Sequence, residues 1–393
     1  MHVAFALLTL FPGRVGGSES NVRGLLDQFA AGNGPERLTV LASERVAAAY
    51  AGYARGPVAL HPMPRYRTGS SDATRLLAML AARPLGRFLA GGAPAGIDVL
   101  HHPVTVPTPR LPGTPTVTTV YDPQHHELPD FFSRAERAFR RWAYDGAARR
   151  ADLVLTTSEY SRTRLVELAG ISPERVEAVA MGIDHGRFTA APDERDERLA
   201  RRLGLPERFL VYPANLWPHK NHRRLIEALA LARDRELGLV LTGQELGRAG
   251  ELAELARGHG VGDRVRHLGY LEPADMPALL RRASAMVFPS LYEGFGSPPL
   301  EAMACGLPVA SSTRGSLGEV IGDAALAIED PESAESIAAA IDQVCAGGEQ
   351  LARRGAERAA RYTWEAAARA HRAAYERLIQ NAAGAAPSLQ PRT

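Results

Sequence analysis

The sequence predicts an α/β protein built from two domains, each a parallel sheet wrapped by helices. Short apolar runs bounded by Gly, Pro or Asn alternate with amphipathic helical stretches along nearly the whole chain, the alternation expected of βαβ units. At 393 residues the chain is long enough for two cores. A polar, charged stretch, APDERDERLARRLGLPE, interrupts the pattern midway, between MGIDHGRF and the next apolar run.

The elements follow in order. VAFALLTL is the first strand, and FPGRVGGSES leads from it into an amphipathic helix carrying Val22, Leu25, Leu26 and Phe29. LTVLAS, IDVLHH, TVTTVYD and ADLVLTTS supply further strands of a domain covering residues 1–190. The stretch Arg55 to Gly96 is rich in Gly, Pro and Arg, with one helical run around Thr74 to Ala82, and reads as a mobile, substrate-facing insertion. The second domain, residues 206–363, begins at FLVYPAN and continues through LGLVLTG, VRHLGY, SAMVFPS and PVASS. Residues from Trp364 to about 380 form an Ala-rich helix, and 381–393 are expected to be disordered. No internal repeat is visible.

Composition narrows the function. Lys and Arg total 46 against 44 Asp and Glu, a net charge of +2, which implies no nucleic-acid partner globally. Two cysteines, Cys305 and Cys345, make neither a disulfide framework nor a zinc cluster and suit a reducing cytosol. MHVAFALLTLF lacks the basic start and cleavage site of a leader peptide and reads as a buried strand. No apolar run approaches the roughly 20 residues of a spanning helix. A cytoplasmic protein is expected, at most peripheral to the inner face of a membrane.

The chemistry concentrates in FPSLYEGFGSPPLEAMACGLPVA, residues 288–310. EGFG is a loop after a strand; Ser297 is an N-cap candidate, Pro298 suits a first turn, and Gly306 and Pro308 stop the helix. Such folds bind ligands beyond the carboxyl ends of their strands. Free N–H groups around Phe295 to Ser297, with Gly294 and Gly296 permitting close approach, would cradle a diphosphate. Glu293 precedes the helix and Glu301 lies one turn inside it, so the two carboxylates can reach opposite ends of one ligand. Glu301 could merely complement the helix dipole; that explains neither Glu293 nor the double Pro after two glycines.

This run resembles the E-x7-E signature of retaining glycosyltransferases of family four, and the resemblance extends through GRVGGSES, TTSEYSRTRL, AVAMGIDHGRF, LVLTGQE and HLGYLEPADMPALLRRA. It implies the GT-B fold: two Rossmann-like domains facing a cleft, an acceptor-binding N-terminal one and a nucleotide-sugar-binding C-terminal one, with the last helix crossing back to the first domain. It also implies Gly243 near the donor, and the backbone of Gly16 and Gly17 near phosphate or acceptor.

In LWPHKNHRRLIEALALA a core-facing helix is expected to begin near Asn221, with Lys220, Arg223 and Arg224 crowding its first turn and no acid before Glu227. Cations there oppose the helix dipole by about 0.3–1 kcal/mol each unless an anion binds. Lys220 is accordingly the candidate clamp on a departing diphosphate. The family usually carries Arg five positions earlier; here Asn215 stands there, able to hydrogen-bond a phosphate, and Arg223 could supply the charge. WPHKNH resembles a mannosyltransferase-rich branch.

On the acceptor side, TVTTVYDPQHHELPDFFS ends a strand in Tyr121-Asp122 where the family often has His-Asp. Either Tyr121 takes over the hydrogen bond to the transferred sugar, or His125 or His126 reaches in from the loop; His101 and His102 are weaker candidates. Aromatic residues Phe131, Phe132, Phe139 and Trp142 interleave with Arg134, Arg137, Arg140 and Arg141, which suits either an anionic membrane or a surface helix packed on its own domain.

The expected function is transfer of a hexose, mannose from GDP-mannose or otherwise a UDP-hexose, to a hydroxyl of a saccharide, lipid-linked or small-molecule acceptor. Retention comes with the resemblance. No Asp-x-Asp pair for a catalytic metal is present, so no cofactor or metal is expected. Two rivals share the pattern: a nucleotide-sugar epimerase on the same fold, and a non-catalytic nucleotide-sugar-binding protein.

Overall fold

A computed structural model describes residues 1–13, 16–64, 92–105 and 108–384. The chain divides into two compact units, Met1–Gly182 joined by the chain from Trp364 onward, and Ile183–Thr363. The boundary therefore falls at Gly182 rather than near residue 190. Ile183 bridges to Thr363, and Asp196, in the charged stretch read as a break, takes a bidentate ion pair from Arg281, so this stretch belongs to the second unit.

Among the described residues the first unit has a seven-stranded parallel sheet with order β3-β2-β1-β4-β5-β6-β7. Its strands are β1 His2–Ala6, β2 Arg37–Ala42, β3 Val58–Pro62, β4 Val99–His102, β5 Thr116–Thr119, β6 Leu153–Thr156 and β7 Val176–Ala178. The near-continuous apolar runs reflect burial on both faces. β3 lies inside the stretch read as a mobile insertion: residues 58–62 pair in register with β2, from Leu38↔Val58 to Ala42↔Pro62. Only Val58 is buried along that edge strand, so its apolar signal is thin. The expected helical run at 74–82 lies outside the described residues.

Helix α1, Gly17–Ala30, buries Val22, Leu25, Leu26 and Phe29 against the sheet. The C-terminal helix, Trp364–Gly384, adds Ala367, Ala368, Ala374 and Tyr375 to the same core. Gly24 of α1 is a glycine because the Trp364 indole lies where a Cβ would be, 2.3 Å away. The helix runs four residues beyond the expected end at 380.

The second unit is a six-stranded parallel sheet with order β10-β9-β8-β11-β12-β13. Its strands are β8 Phe209–Pro213, β9 Gly238–Thr242, β10 Val265–His267, β11 Ala285–Phe288, β12 Val309–Ser311 and the two-residue β13 Leu326–Ala327, too short to leave a sequence pattern. In both sheets the chain order reverses beside the first strand, so β1 neighbours β4 and β8 neighbours β11. Those switch points, at the carboxyl ends of the strands, are where open α/β sheets bind ligands.

Candidate functional site

In the second unit the loops after β8 and β11 meet over the switch point. After β8 the chain forms a 3-10 turn, Pro218–Lys220, passes through Asn221 in the left-handed region at φ 62°, and only then enters helix α2, His222–Leu231. Lys220 thus stands before the helix instead of in its first turn. Asn221 suits the turn because Asn tolerates positive φ, and its amide donates to Pro289 O (3.2 Å) and Pro331 O (2.6 Å). The buried Tyr212 hydroxyl donates to Lys220 O at 2.6 Å, fixing the backbone from which the ammonium projects.

The basic helix start differs from the expectation. Glu227 pairs with both Arg223 (3.2 Å) and Arg224 (2.5 Å), so those cations are answered within their own helix. Arg223 is engaged there and is not a spare charge beside Asn215. Asn215 itself accepts from Gln244 N at 2.8 Å, tying the loops after β8 and β9 together. Gly243, at φ 136°, sits where a Cβ would be 2.6 Å from the Ala214 carbonyl, so its role is close backbone approach.

Lys220 Nζ donates to Glu293 Oε1 at 2.5 Å; the two side chains are 17% and 12% exposed. The Glu293 backbone is pinned, because the buried Ser316 hydroxyl lies 3.0 Å from both Glu293 O and Phe295 O, and Ser316 N donates to Glu293 O. Gly315, at φ 64°, allows this: a Cβ there would lie 2.6 Å from Glu293 O. Ser316 and Gly315 lie beyond the motif, and a Gly-Ser pair in a loop carries no signal by which sequence reasoning could have found them.

Helix α3, Ser297–Ala304, starts at Gly296, which is the N-cap at φ 95°. Ser297 is therefore the first helical residue rather than the cap. Pro298 and Pro299 remove two of the N–H groups at this start, leaving those of Gly296 and Ser297 for an anion. Phe295 is buried edge-on against Tyr362, with ring centroids 5.7 Å apart, which holds the loop beside Gly294 in place. The Glu301 carboxylate makes no hydrogen bond to a described residue. Burial pushes its pKa up to about 7, with Arg187 pulling it down and Asp184 pushing it up. Near neutrality Glu301 is thus a poorly solvated acceptor, only partly ionised, that donor hydroxyls would stabilise.

In the first unit the predicted polar groups turn inward. Gly16 is the N-cap of α1 at φ 61°, a conformation that explains the glycine, whereas a Cβ at Gly16 or Gly17 would meet nothing within 4 Å. Glu19, in the first turn of α1, accepts from Gly13 N at 2.7 Å and pairs with Arg23 at 2.8 Å, so a carboxylate already complements this helix start. The Tyr121 hydroxyl, beyond β5, lies 3.2 Å from Ser18 O and 3.0 Å from Pro103 O and accepts from Asn21 at 3.2 Å. It ties the ends of β4 and β5 to the start of α1, and burial raises its pKa. Asp122 accepts from Gln124 N at 2.9 Å, an Asx turn that shapes the loop.

His125 is buried, with Nε2 3.0 Å from Asp145 Oδ1, and His126 Nε2 lies 2.9 Å from Asp145 Oδ2. Burial pushes the Asp145 pKa up, but the hydrogen bonds and charge interactions with His125 and His126 outweigh it and hold the carboxyl below its ordinary value. His125 is therefore engaged within its own unit, which disfavours its reaching in from the loop, one of the alternatives to Tyr121. His101 bridges Tyr375 and Thr119, both at 2.8 Å, and His102 bonds Pro109 O at 2.9 Å; burial lowers both, His102 to about 4, and both are interior groups. Of the aromatic-arginine stretch, Phe131 is 41% exposed, while Arg140 stacks over Phe132 at 4.3 Å and Phe139 meets Trp142 at 6.2 Å. No described helix is long and apolar enough to cross a membrane.

Comparison with known proteins bears on both units. Residues 193–361 match the family model "Glycosyl transferases group 1", and residues 15–187 match "Glycosyltransferase Family 4". The chain is 30% identical over 255 residues to O-antigen chain mannosyltransferase B of Escherichia coli, covering 63% of this chain and 67% of that protein. It is 31% identical over 320 residues to the MMP alpha-(1->4)-mannosyltransferase of Mycolicibacterium hassiacum, covering 76% and 74%. With the D-inositol 3-phosphate glycosyltransferase of Salinispora arenicola it shares 38% identity over 44% of this chain and 42% of that protein, so the match spans less than half of that relative. Among solved structures, sucrose-phosphate synthase from Thermosynechococcus elongatus superimposes with a TM-score of 0.75 at 19% identity, over 97% of this chain and all of that one. Anabaena Alr3699/HepE in complex with UDP and glucose gives 0.71 at 19% identity, over 96% and 100%. The fold class is GT-B.

Proposed function

The chain belongs to the family 4, group 1 glycosyltransferases, and we propose that it moves a hexose, with retention, from a nucleotide diphosphate sugar to a hydroxyl of a saccharide, lipid-linked or small-molecule acceptor. The observation that carries this reading is the Lys220–Glu293 pair at 2.5 Å, set over the switch point beside the start of α3. A diphosphate arriving there draws Lys220 away from Glu293. The ammonium then stabilises the leaving charge, and the N–H groups of Gly296 and Ser297 assist it. Glu293, released, accepts from sugar hydroxyls, and Glu301 accepts from ribose hydroxyls. In the transfer step the bond from the anomeric carbon to the phosphate oxygen breaks, a bond to the acceptor oxygen forms on the same face, and the acceptor proton goes to the departing phosphate.

Because the chain's own cation and backbone supply the charge stabilisation, the reaction is expected without a divalent metal. GDP-mannose is the favoured donor, its mannose supported by mannosyltransferases among the relatives. A UDP-hexose is the alternative, supported by the UDP-bound structural neighbour. The test is thermal denaturation with GDP, UDP, GDP-mannose and UDP-glucose, without metal. A ligand at 100 times its Kd adds about 2.7 kcal/mol, and the base that shifts Tm identifies the donor. No shift with any of the four, in a protein that melts cooperatively, would sink the reading.

A further inference from the structure

His125 and His126 aim their Nε2 atoms at the two oxygens of one carboxylate, and the three ligand-type atoms lie within 4.8 Å of one another. The Asp145 side chain is 2% exposed. Among the described residues the arginine that pairs with it is Arg149, at 3.8 Å and 55% exposed, beyond hydrogen-bonding distance. One imidazole meets each oxygen of this buried carboxylate, and buried charges are normally paired or bound to metal. Asp145 closes a π-helical turn, Arg141–Asp145, and such turns are rare and concentrate at functional positions. His125 Nδ1 has no hydrogen-bond partner among the described residues, so no second hydrogen bond locks its tautomer and its proton can move to Nδ1 when Nε2 is needed as a ligand. The His126 side chain keeps 12% exposure and opens a path from solvent.

We propose that His125, His126 and Asp145 bind one divalent transition ion of the zinc type. Two imidazole nitrogens and a carboxylate oxygen are a donor set suited to such an ion, with the fourth position left to water. The ion ties the loop 122–128, which follows β5, to the π-helical turn. This role is structural and separate from the transfer chemistry, which needs no metal.

The full chain carrying Cys345→Ser, to remove its exposed thiol, is stripped with chelator and titrated with Zn2+ and with Co2+. One equivalent should bind, with the visible ligand-field bands of four-coordinate Co2+ and a higher Tm. Asp145→Asn, which preserves shape but turns one of the two acceptor oxygens into a donor, and His126→Ala, at the solvent edge, should each weaken binding by more than about 10–100-fold, the loss produced by outer-shell changes alone. If Asp145→Asn fails to fold, His126→Ala decides. Absence of bands and of a Tm response at millimolar Co2+, or parental affinity in His126→Ala, would overturn the site and leave a hydrogen-bonded clasp.

Discussion

Beyond the strands of the second unit, Lys220 faces Glu293 and Glu301 holds an unengaged carboxylate, whereas in the first unit Tyr121, Asp122 and His125 all make internal hydrogen bonds. Both sheets have the same order through their first six strands, so topology does not account for the difference. In the second unit a ligand would exchange partners with groups whose backbones are already pinned, by Tyr212 and Ser316. In the first, a ligand addressing those side chains would have to break bonds that hold the loop's own shape. Preformed backbone and exchangeable side chains make a binding site; side chains that hold the fold do not.

The largest expected effect tests the exchangeable pair. Lys220→Ala should lower kcat/KM by about 10²–10³, as loss of an oxyanion donor does, with an unchanged circular dichroism spectrum. Parental kcat/KM would remove Lys220 from the mechanism. Next comes pH. With the Glu301 pKa near 7, lowering pH below 7 protonates the group proposed to accept from the donor, so nucleotide-sugar affinity should fall, approaching tenfold per unit. The intact nucleotide sugar is the right probe because its diphosphate does not titrate there. Glu301→Gln should bind more weakly at pH 8 and show a flat profile by calorimetry; a sloping profile in that variant assigns the titration elsewhere.

Glu293→Gln should act in two directions. Turnover falls, while nucleoside diphosphate binds up to about tenfold tighter, or 1.4 kcal/mol, because Lys220 no longer has to leave a carboxylate. Weaker diphosphate binding would show that the pair does not compete with phosphate. The smallest effect belongs to the first unit. Tyr121→Phe should cost about 1 kcal/mol of stability in chemical denaturation and change kcat far less than the roughly 10² of an acid–base role. A large kcat loss with unchanged stability would put Tyr121 in the chemistry and erase the contrast between the units.

Much of the fold was legible because buried parallel strands are apolar throughout and their helices keep a 3.6-residue period, as in β1, α1 and β11. The edge strands β3, β7 and β13 were not, the first half-exposed and the other two three and two residues long. In the candidate site, Glu293 and Glu301 stood out because their spacing fits one short loop and one helical turn. Ser316 did not, since it acts through a hydroxyl reaching back more than twenty residues. Nor did the Asp145 partnership of His125 and His126, which spans nineteen or twenty positions and depends on a π turn with no compositional mark.

Local order along the chain settled the α/β class, the two domains and the loop-to-helix segment of residues 293–301, because hydrophobic period, glycine and proline act within a few residues of their own position. Tertiary packing decided which polar groups remain available to a ligand. Asn215, Arg223 and His125 have suitable chemistry, but Gln244, Glu227 and Asp145 engage them. A side chain's hydrogen-bonding capacity is a property of the residue, while its vacancy depends on neighbours that only folding brings within 3 Å.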